Sequence, residues 1–294
     1  MTTRVAVVIV TYNSADVLGR CLATLPDDVG EVVVVDNNSR DTTVEIAKSM
    51  SVRVVQLGRN AGYAAGINAG IEALGAYDQV LVINPDVRVR PGAVRLLAKA
   101  FDNPRVAIAA PRMENPDGSL QPSLRRPPTA VRAWAEALVG GNRAGRWGTL
   151  GELITTPERY TVAGPAAWAT GGVLMISAAA IRALGPWDET FLLYGEETDF
   201  ALRARRRGFV TWYVPEAVVE HDGGESGTNP MLWALLTFNR IRIVRRYNGF
   251  LSFLGYYAAV VVGEAMRAAA GRTTARAALT ALLRPSRRLK ALPQ

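Results

Sequence analysis

The chain has 294 residues, 49% hydrophobic and 20% charged, enough to bury a large core in one domain or in one domain with an appendage. One cysteine, Cys21, and one histidine, His221, exclude an internal disulfide, a cysteine-based zinc cluster and any site built on two imidazoles. The net charge of +8 is concentrated at the end: residues 265–294 hold 7 basic and no acidic side chains, whereas residues 1–100 hold 10 of each. Charge confined to a tail after an apolar stretch, with no stacking platform in view, argues against nucleic acid and for an anionic membrane surface.

Met1-Thr2-Thr3-Arg4 runs straight into a strand, so no signal peptide is expected and the protein is placed on the cytoplasmic side. Residues 4–10 (RVAVVIV) are apolar and rich in β-branched side chains, which predicts a buried strand. Asn13-Ser14 offers an N-cap for a helix to about residue 25. Residues 31–35 (EVVVV) predict a second buried strand, ending at Asp36-Asn37-Asn38-Ser39, and Asp41-Thr42-Thr43 opens a helix to about residue 50. There follow a strand over 52–57, a helix with a Gly-rich first turn over 60–74 and a strand over 80–83. A helix from Pro91-Gly92 to 101 and a strand over 106–110 continue the series. Strands alternating with helices imply an α/β fold with a doubly wound, mostly parallel sheet.

Pro116-Asp117-Gly118 marks a turn of the kind that closes a hairpin. Residues 125–165, rich in Arg, Pro, Gly and Trp, show no clean period and predict loops and short helices near an acceptor substrate. Regular structure resumes with a strand over 171–176, a helix over 178–184, an acidic helix over 196–207 and a strand over 210–214. From residue 231 the chain reads as an amphipathic helix, and 247–263 then run 17 residues without a charge. That is just under the roughly 20 residues of a spanning helix. Interfacial association with a membrane is the preferred reading. A short or re-entrant span stays open, as does packing on the catalytic domain or on a second subunit in a homodimer. The expected division is a catalytic domain over 1–225 and a helical, basic, membrane-associating region over 226–294.

The apolar run 80–83 stops at Asn84-Pro85-Asp86. In open α/β sheets ligands bind beyond the carboxyl ends of strands, where a carboxylate can hold a hard cation and, through it, a diphosphate. A solvated Asp in an Asx/Pro turn is the plainer alternative. Two further polar segments, Thr11-Tyr12-Asn13-Ser14 and Asp36-Asn37-Asn38-Ser39, follow strands at the same edge. A carboxylate there suits a base imide or a ribose hydroxyl, or simply caps a helix. In Asn60-Ala61-Gly62-Tyr63-Ala64-Ala65-Gly66-Ile67-Asn68-Ala69-Gly70, Gly62 and Gly66 share a helical face, which suits either phosphate at the helix N-terminus or close helix–sheet packing. Neither a dinucleotide-binding nor a P-loop glycine pattern occurs. The cluster Tyr194-Gly195-Glu196-Glu197-Thr198-Asp199 places carboxylates at a helix start and arginines, Arg203 among them, toward its end. This suits a general base beside an anionic ligand, or only the helix dipole. The lone His221, followed by Asp222-Gly223-Gly224, is either structural or a ligand facing a metal-bound diphosphate.

Taken in order, VVIVTYNS (7–14), VVVDNNSRDTT (33–43), RNAGYAAGINAG (59–70), VLVINPDV (80–87), ATGGVLMI (169–176), GPWDETFLLYGEETDFALRARRRGF (185–209) and HDGG (221–224) resemble the family 2 glycosyltransferases, which use a GT-A fold. The resemblance implies a nucleotide-sugar site built from Thr11, Tyr12, Asn13, Asp36, Asn38, Asn60, Gly62, Asn68, Asn84 and Asp86. Asp86 matches the last carboxylate of the family's Asp-x-Asp motif, with Asn84 in place of the first. Asp86 and His221 would hold Mg²⁺ or Mn²⁺. The family's base lies in a Glu-Asp pair that reads Glu196-Glu197 here; Glu197 is the first choice, with Asp199 and Glu196 open. Trp168, Thr170, Gly171, Gly172 and Arg203 would line the acceptor or sugar pocket, Trp168 being equally suited to the core.

The set NPDV, TGG, YGEETDF and HDGG is most similar to bacterial rhamnosyltransferases of cell-wall or O-antigen assembly. It implies inverting transfer of L-rhamnose from dTDP-L-rhamnose to a polyprenyl-diphospho-N-acetylglucosamine acceptor at the cytoplasmic face of the plasma membrane. Another nucleotide sugar with a polysaccharide acceptor would leave the same motifs. A non-catalytic nucleotide-sugar-binding homologue is the remaining alternative, favoured by the Glu-Glu pair and opposed by Asp86, Asp199 and His221.

Overall fold

The computed structural model describes residues 4–223 and 228–294; the expectations attached to residues 1–3 and to Gly224 lie outside the described residues. β1 (Val5–Thr11), α1 (Ala15–Ala23), β2 (Val32–Asp36), α2 (Thr43–Ser49), β3 (Arg53–Gln56), α3 (Tyr63–Ala73) and β4 (Gln79–Ile83) alternate as their patterns predict. A short β5 (Val87–Val89), α4 (Ala93–Lys99) and β6 (Val106–Glu114) follow. The irregular middle holds β7 (Leu124–Arg125), α5 (Ala130–Val139), α6 (Gly141–Arg146), β8 (Gly164–Ala166) and β9 (Trp168–Ala169). Then come β10 (Val173–Ser177), α7 (Ala178–Leu184), α8 (Glu196–Arg206), β11 (Val210–His221), α9 (Pro230–Tyr247), α10 (Phe250–Ala269) and α11 (Thr273–Leu283).

Among the described residues the main sheet has nine strands, in the order β3-β2-β1-β4-β10-β6-β11-β5, with β8 beside β11. β1 pairs in parallel with β2 and β4, and β6 with β11. β10 runs antiparallel between β4 and β6, and β5 and β8 run antiparallel to β11. The sheet is therefore largely parallel but reversed at β10. The chain enters β10 from the carboxyl edge, where the Asn84 amide already donates to Gly172 O at 2.9 Å, so it can only run back.

Alternate residues of the central strands feed two cores. Val8, Val10, Val33, Val35, Val80 and Val82 point into one, and Val7, Ile9, Val34, Leu81 and Ile83 into the other. A strand buried on both faces needs an unbroken apolar run, which is why β1 and β4 are legible without a period-two pattern.

A third layer is helical. Ala133 of α5, Ile241 and Val244 of α9, Tyr256, Ala259 and Val260 of α10 and Leu282 of α11 form one cluster. α5 and α10 approach through small residues: a Cβ on Gly255 would lie 3.2 Å from Ala130 Cβ, and one on Gly263 3.0 Å from Ala137 Cβ. The segment expected only to be loops and short helices thus supplies a helix to the same layer as the C-terminal region. Among the described residues no helix is long and apolar enough to cross a membrane, which sets aside the spanning reading of 247–263. One side of α10 is packed, while Leu251, Leu254, Ala258, Val262, Ala265, Met266 and Ala269 form an exposed stripe without a polar side chain.

Candidate active site

β4 ends at Ile83 and the chain turns through Asn84-Pro85-Asp86 into β5. β5 pairs with the end of β11, in the register His221↔Val87. This pairing brings together two residues far apart in the chain: His221 Nε2 lies 3.4 Å from Asp86 Oδ2. Gln121 Oε1 is 2.8 Å from His221 Nδ1, which holds the ring so that Nε2 is the nitrogen turned toward Asp86. The Gln121 amide is oriented by donating to Asn115 Oδ1 at 3.0 Å. Burial raises the Asp86 carboxyl above its ordinary value, and the neighbouring imidazole partly opposes this. Arg88 pins the same turn by pairing with Glu220 at 2.6 Å and with Asp222.

One hard oxygen and one imidazole nitrogen with its outer nitrogen held by an amide suit a divalent cation that keeps most of its positions open. Among the described residues no cluster of three or more His, Cys, Asp or Glu side chains could hold a metal without outside ligands.

The second carboxylate group stands on the next residues of the floor. A Cβ on Gly172 would sit 3.5 Å from His221 Nε2, and one on Gly171 3.4 Å from Glu197 Cβ. Consecutive Cα atoms are about 3.8 Å apart, so Glu197 and the Asp86–His221 pair flank neighbouring positions. Both line one cavity of about 560 Å³, with Tyr63, Met113, Arg125, Trp168, Thr170 and Glu196. Tyr63 donates its hydroxyl to Gly171 O at 3.1 Å. Burial and the charges of Glu196, Glu197 and Asp86 push its phenol well above the ordinary range.

Glu197 and Glu196 open α8 after a strained turn: Leu192 (φ 63°), Tyr194 (φ 67°) and Gly195 (φ 105°) have left-handed backbone. Asn239 of α9, 1% exposed, donates to the carbonyls of Phe191, Leu193 and Tyr194 at 2.8, 3.0 and 2.9 Å. Arg242 adds a bond to Thr190 O at 2.8 Å. Glu197 Oε2 accepts from the Gly195 amide at 3.1 Å, while Glu196 Oε2 is buried without a partner. Burial raises both carboxyls, Glu196 furthest, with the Glu197 charge adding to it.

Polar groups also gather beyond β1 and β2, whose ends pair Thr11 with Asp36. Asp36 is 1% exposed and accepts from Thr11 Oγ1 at 3.2 Å and the Ser39 amide at 2.9 Å. Asn13 (φ 49°) and Asn38 (φ 67°) shape these turns, and Asn13 Oδ1 accepts from the Arg40 amide at 2.8 Å. Asn60 and Tyr12 present polar atoms here, and the far end of the chain meets them. Pro293 O accepts from Asn60 Nδ2 at 3.0 Å and Tyr12 Oη at 3.4 Å, and Gln294 Oε1 accepts from the Asn60 amide at 3.1 Å.

Residues 6–157, just over half of the chain, match the sequence profile of glycosyl transferase family 2. The N-acetylglucosaminyl-diphospho-decaprenol L-rhamnosyltransferase of Mycobacterium tuberculosis is 32% identical over 78% of this chain and 80% of its own length. The chain belongs to glycosyltransferase family 2. The dTDP-rhamnosyl transferase RfbF of Shigella flexneri is 26% identical over 76% of this chain and 71% of its own. Among solved structures, the mannosyltransferase PcManGT from Pyrobaculum calidifontis, in complex with GDP-Man and Mn²⁺, superposes with a TM-score of 0.60 at 17% identity, over 96% of this chain and 79% of that one. GalNAc-T7 with UDP, GalNAc and Mn²⁺ gives 0.61 at 15% identity, over 83% of this chain and 48% of that one. These likenesses show a GT-A fold.

Several residues expected at the glycosyltransferase site do other work. Asp199 is fully buried and accepts from Arg203 at 2.8 Å, Arg246 at 2.6 Å and Tyr247 Oη at 2.7 Å, so it anchors α8 to α9 and faces away from the cavity. Arg203 also donates to the carbonyls of Leu184 and Pro186, at 2.8 and 2.9 Å, which commits its guanidinium to packing. Asn68 accepts from the Trp187 amide at 2.9 Å and donates to Trp187 O at 3.0 Å, tying α3 to the turn before α8. At Gly62 (φ 97°) a Cβ would stand 2.2 Å from Leu192 O, and the Tyr63 amide donates to that oxygen at 2.7 Å. Gly62 thus admits backbone, not phosphate. Gly66 and Gly70 let α3 close on Val10 and Val8, the packing alternative. Trp168, 7% exposed, serves core and cavity together, its indole donating to Arg126 O at 3.2 Å. Gln121, Tyr63 and Arg125 are not singled out individually as site residues by the sequence: Tyr63 stands in the Gly-rich 60–70 segment and Arg125 opens the 125–165 segment expected near an acceptor, whereas no pattern marks Gln121.

Proposed function

We propose that this glycosyltransferase moves L-rhamnose from dTDP-L-rhamnose to the N-acetylglucosamine of a polyprenyl-diphosphate-linked acceptor, with inversion at the anomeric carbon. The observation that carries the reading is the single cavity in which Glu197 and the Asp86–His221 pair flank Gly171 and Gly172. The rhamnosyltransferase relatives support the sugar and the acceptor class.

Glu197 accepts the proton of the acceptor hydroxyl as that oxygen forms its bond to the anomeric carbon. The bond from that carbon to the donor diphosphate breaks, and its electron pair leaves with dTDP. One displacement on the face opposite the leaving group inverts the centre. Glu197 suits the base because its carboxylate lines the cavity, whereas Asp199 is engaged by three donors outside it. Glu196, more deeply buried, shapes the wall behind Glu197. Asp86 and His221 would hold Mg²⁺ or Mn²⁺, which when bound neutralises charge on a departing diphosphate. Gln121 keeps the His221 Nε2 turned toward Asp86. Tyr12, Asn60 and the turns around Asp36 form the edge that receives the nucleoside, with Asn84 between that edge and the cavity.

The acceptor lies in a cytoplasmic-side leaflet in this reading. The apolar stripe of α10, together with the exposed Val131, Trp134 and Leu138 of α5, supplies the membrane-facing surface, and the basic tail meets anionic headgroups. The test is a transfer reaction with purified protein, Mg²⁺, dTDP-L-rhamnose and a short-chain polyprenyl-diphospho-N-acetylglucosamine, followed by mass spectrometry with and without EDTA. The expected product is heavier by one deoxyhexose and is lost with EDTA. A protein that binds dTDP yet forms no product would refute the sugar or the acceptor.

A further inference from the structure

Arg125 is a cation of the cavity that the proposed reaction has not used. It stands on β7, opposite Trp168 of β9 in the two-stranded ribbon, and its guanidinium lies over the Trp168 ring at 5.5 Å. Its Nε is shielded from solvent and has no hydrogen-bond partner among the described residues. The cavity's other guanidinium, Arg240, is committed: it pairs with Glu136 and Glu152, each at 3.0 Å. No such ion pair is recorded for Arg125 among the described residues. It lines the same cavity as Glu197, and α9 adds the apolar side chains Trp233, Leu236 and Ile243 to that lining.

The cavity lining thus combines a carboxylate, a guanidinium without an ion pair among the described residues, and an apolar helix wall. A ligand complementary to that set combines a hydroxyl-bearing sugar, an anion and a hydrocarbon chain. The donor's own diphosphate is assigned to the Asp86–His221 end, so this is a second anion site. We infer that Arg125 binds the phosphate oxygens of a lipid-linked, diphosphate-bearing acceptor while Trp168 backs its guanidinium. A planar fork with several N–H groups matches such oxygens, and the ring beneath holds it in place. The inference rests on the acceptor reading above and deepens it.

The test compares the wild type with Arg125→Gln and Arg125→Lys. Transfer is measured to farnesyl-diphospho-N-acetylglucosamine and to uncharged octyl N-acetylglucosaminide, and calorimetry measures binding of geranyl diphosphate, inorganic pyrophosphate and dTDP. Arg125→Gln should raise KM for the diphosphate acceptor at least tenfold and weaken geranyl diphosphate equally. It should leave dTDP affinity and KM for the octyl glycoside within twofold, and Arg125→Lys should recover part of the loss. Pyrophosphate should bind more weakly than geranyl diphosphate, because the apolar wall adds to the site. A loss of dTDP affinity would assign Arg125 to the donor and overturn the inference, as would equal losses on charged and neutral acceptors. If the wild type uses neither acceptor the functional reading fails, and geranyl diphosphate binding still decides the role of Arg125.

A separate observation concerns the nucleotide edge. Leu292, Pro293 and Gln294 occupy it: Leu292 is 8% exposed, and the bonds to Asn60 and Tyr12 take the groups assigned to the nucleoside. The preceding 284–290 carry four basic side chains and no acidic one. We propose that this segment competes with the donor for the edge and must leave before the nucleoside binds. Removing residues 291–294, or introducing Leu292→Asp in the full chain, should lower the dTDP dissociation constant severalfold with kcat unchanged. An unchanged or raised constant in both variants overturns it. If no form binds dTDP, the assignment of the edge itself has failed.

Discussion

Glu196 and Glu197 are neighbours in the chain with different surroundings. Glu197 faces the cavity and keeps a backbone amide on Oε2, whereas Glu196 is 2% exposed with Oε2 unpartnered. Glu197→Gln should lower kcat by about 10² to 10⁴-fold, the usual worth of a positioned base, with donor affinity unchanged. A variant losing less than tenfold would remove Glu197 from that role. Because burial raises the Glu197 carboxyl, the acid limb of kcat/KM should lie above the ordinary Glu value near 4.3. Glu196 carries a stability consequence. Its folded pKa is raised, so the folded chain keeps a proton that the unfolded chain has released, and stability falls as pH rises from the ordinary Glu value toward the raised one. Glu196→Gln removes that penalty: its Tm should exceed the wild type's at pH 8 and match it near pH 4, by differential scanning calorimetry. At this scale the sequence singles out Asp86, His221 and Glu197 because each follows an apolar strand or opens a helix at a glycine, and the structure places all three in the lining of one cavity. Asp199 and Arg203 carry the same chemical types in the same helix. Only the packing of α9 against α8 separates their structural work from catalysis.

α9 acts on the site without lining its catalytic end alone. The Asn239 amide satisfies three carbonyls of the left-handed turn that aims Glu197, and Arg246 and Tyr247 hold Asp199 behind it. Asn239→Leu keeps the volume but removes the side-chain donor to those three carbonyls, at about 1–3 kcal/mol. The expected outcome is a lower Tm together with at least a tenfold loss of kcat, while dTDP affinity holds. Loss of Tm alone would limit Asn239 to a structural role. Elements with continuous apolar runs, β1, β2 and β4, are legible because both faces are buried. β5, three residues long, and the reversal of β10 are not: each is fixed by which strand it meets, which no local pattern records. α5 falls in the segment read as loops and short helices, but its bounds and its packing on α10 are not legible there, because Arg, Pro and Gly around it obscure any period.

The whole molecule joins a polar edge beyond β1 and β2, which we assign to the nucleoside, a cavity at the carboxyl edge of the sheet and a helical layer with one exposed apolar face. That layer is where a lipid-linked acceptor would be met. Binding to vesicles containing phosphatidylglycerol should be measurable by sedimentation and should weaken with salt, since most of the tail's charges, Arg272, Arg276, Arg284, Arg287 and Lys290, are exposed. Leu251→Asp with Leu254→Asp should reduce it at least tenfold, because each replaces an exposed apolar group, 82% and 44% accessible, with a charge. Unchanged binding would place the membrane contact elsewhere. The charge-free stretch 247–263 signals an apolar surface but not its geometry. Whether such a helix spans, lies flat or packs depends on its partners, and here α5, α9 and α11 cover only one side of it.

The most direct measurement is transfer by the wild type, Glu197→Gln and Asp86→Asn, with dTDP affinity determined on the same preparations with and without Mg²⁺. Glu197→Gln should bind dTDP like the wild type and lose transfer. Asp86→Asn should lose transfer together with the Mg²⁺-dependent part of dTDP affinity. If both variants transfer rhamnose at the wild-type rate, the cavity joining Glu197 to Asp86 and His221 is not where the reaction occurs.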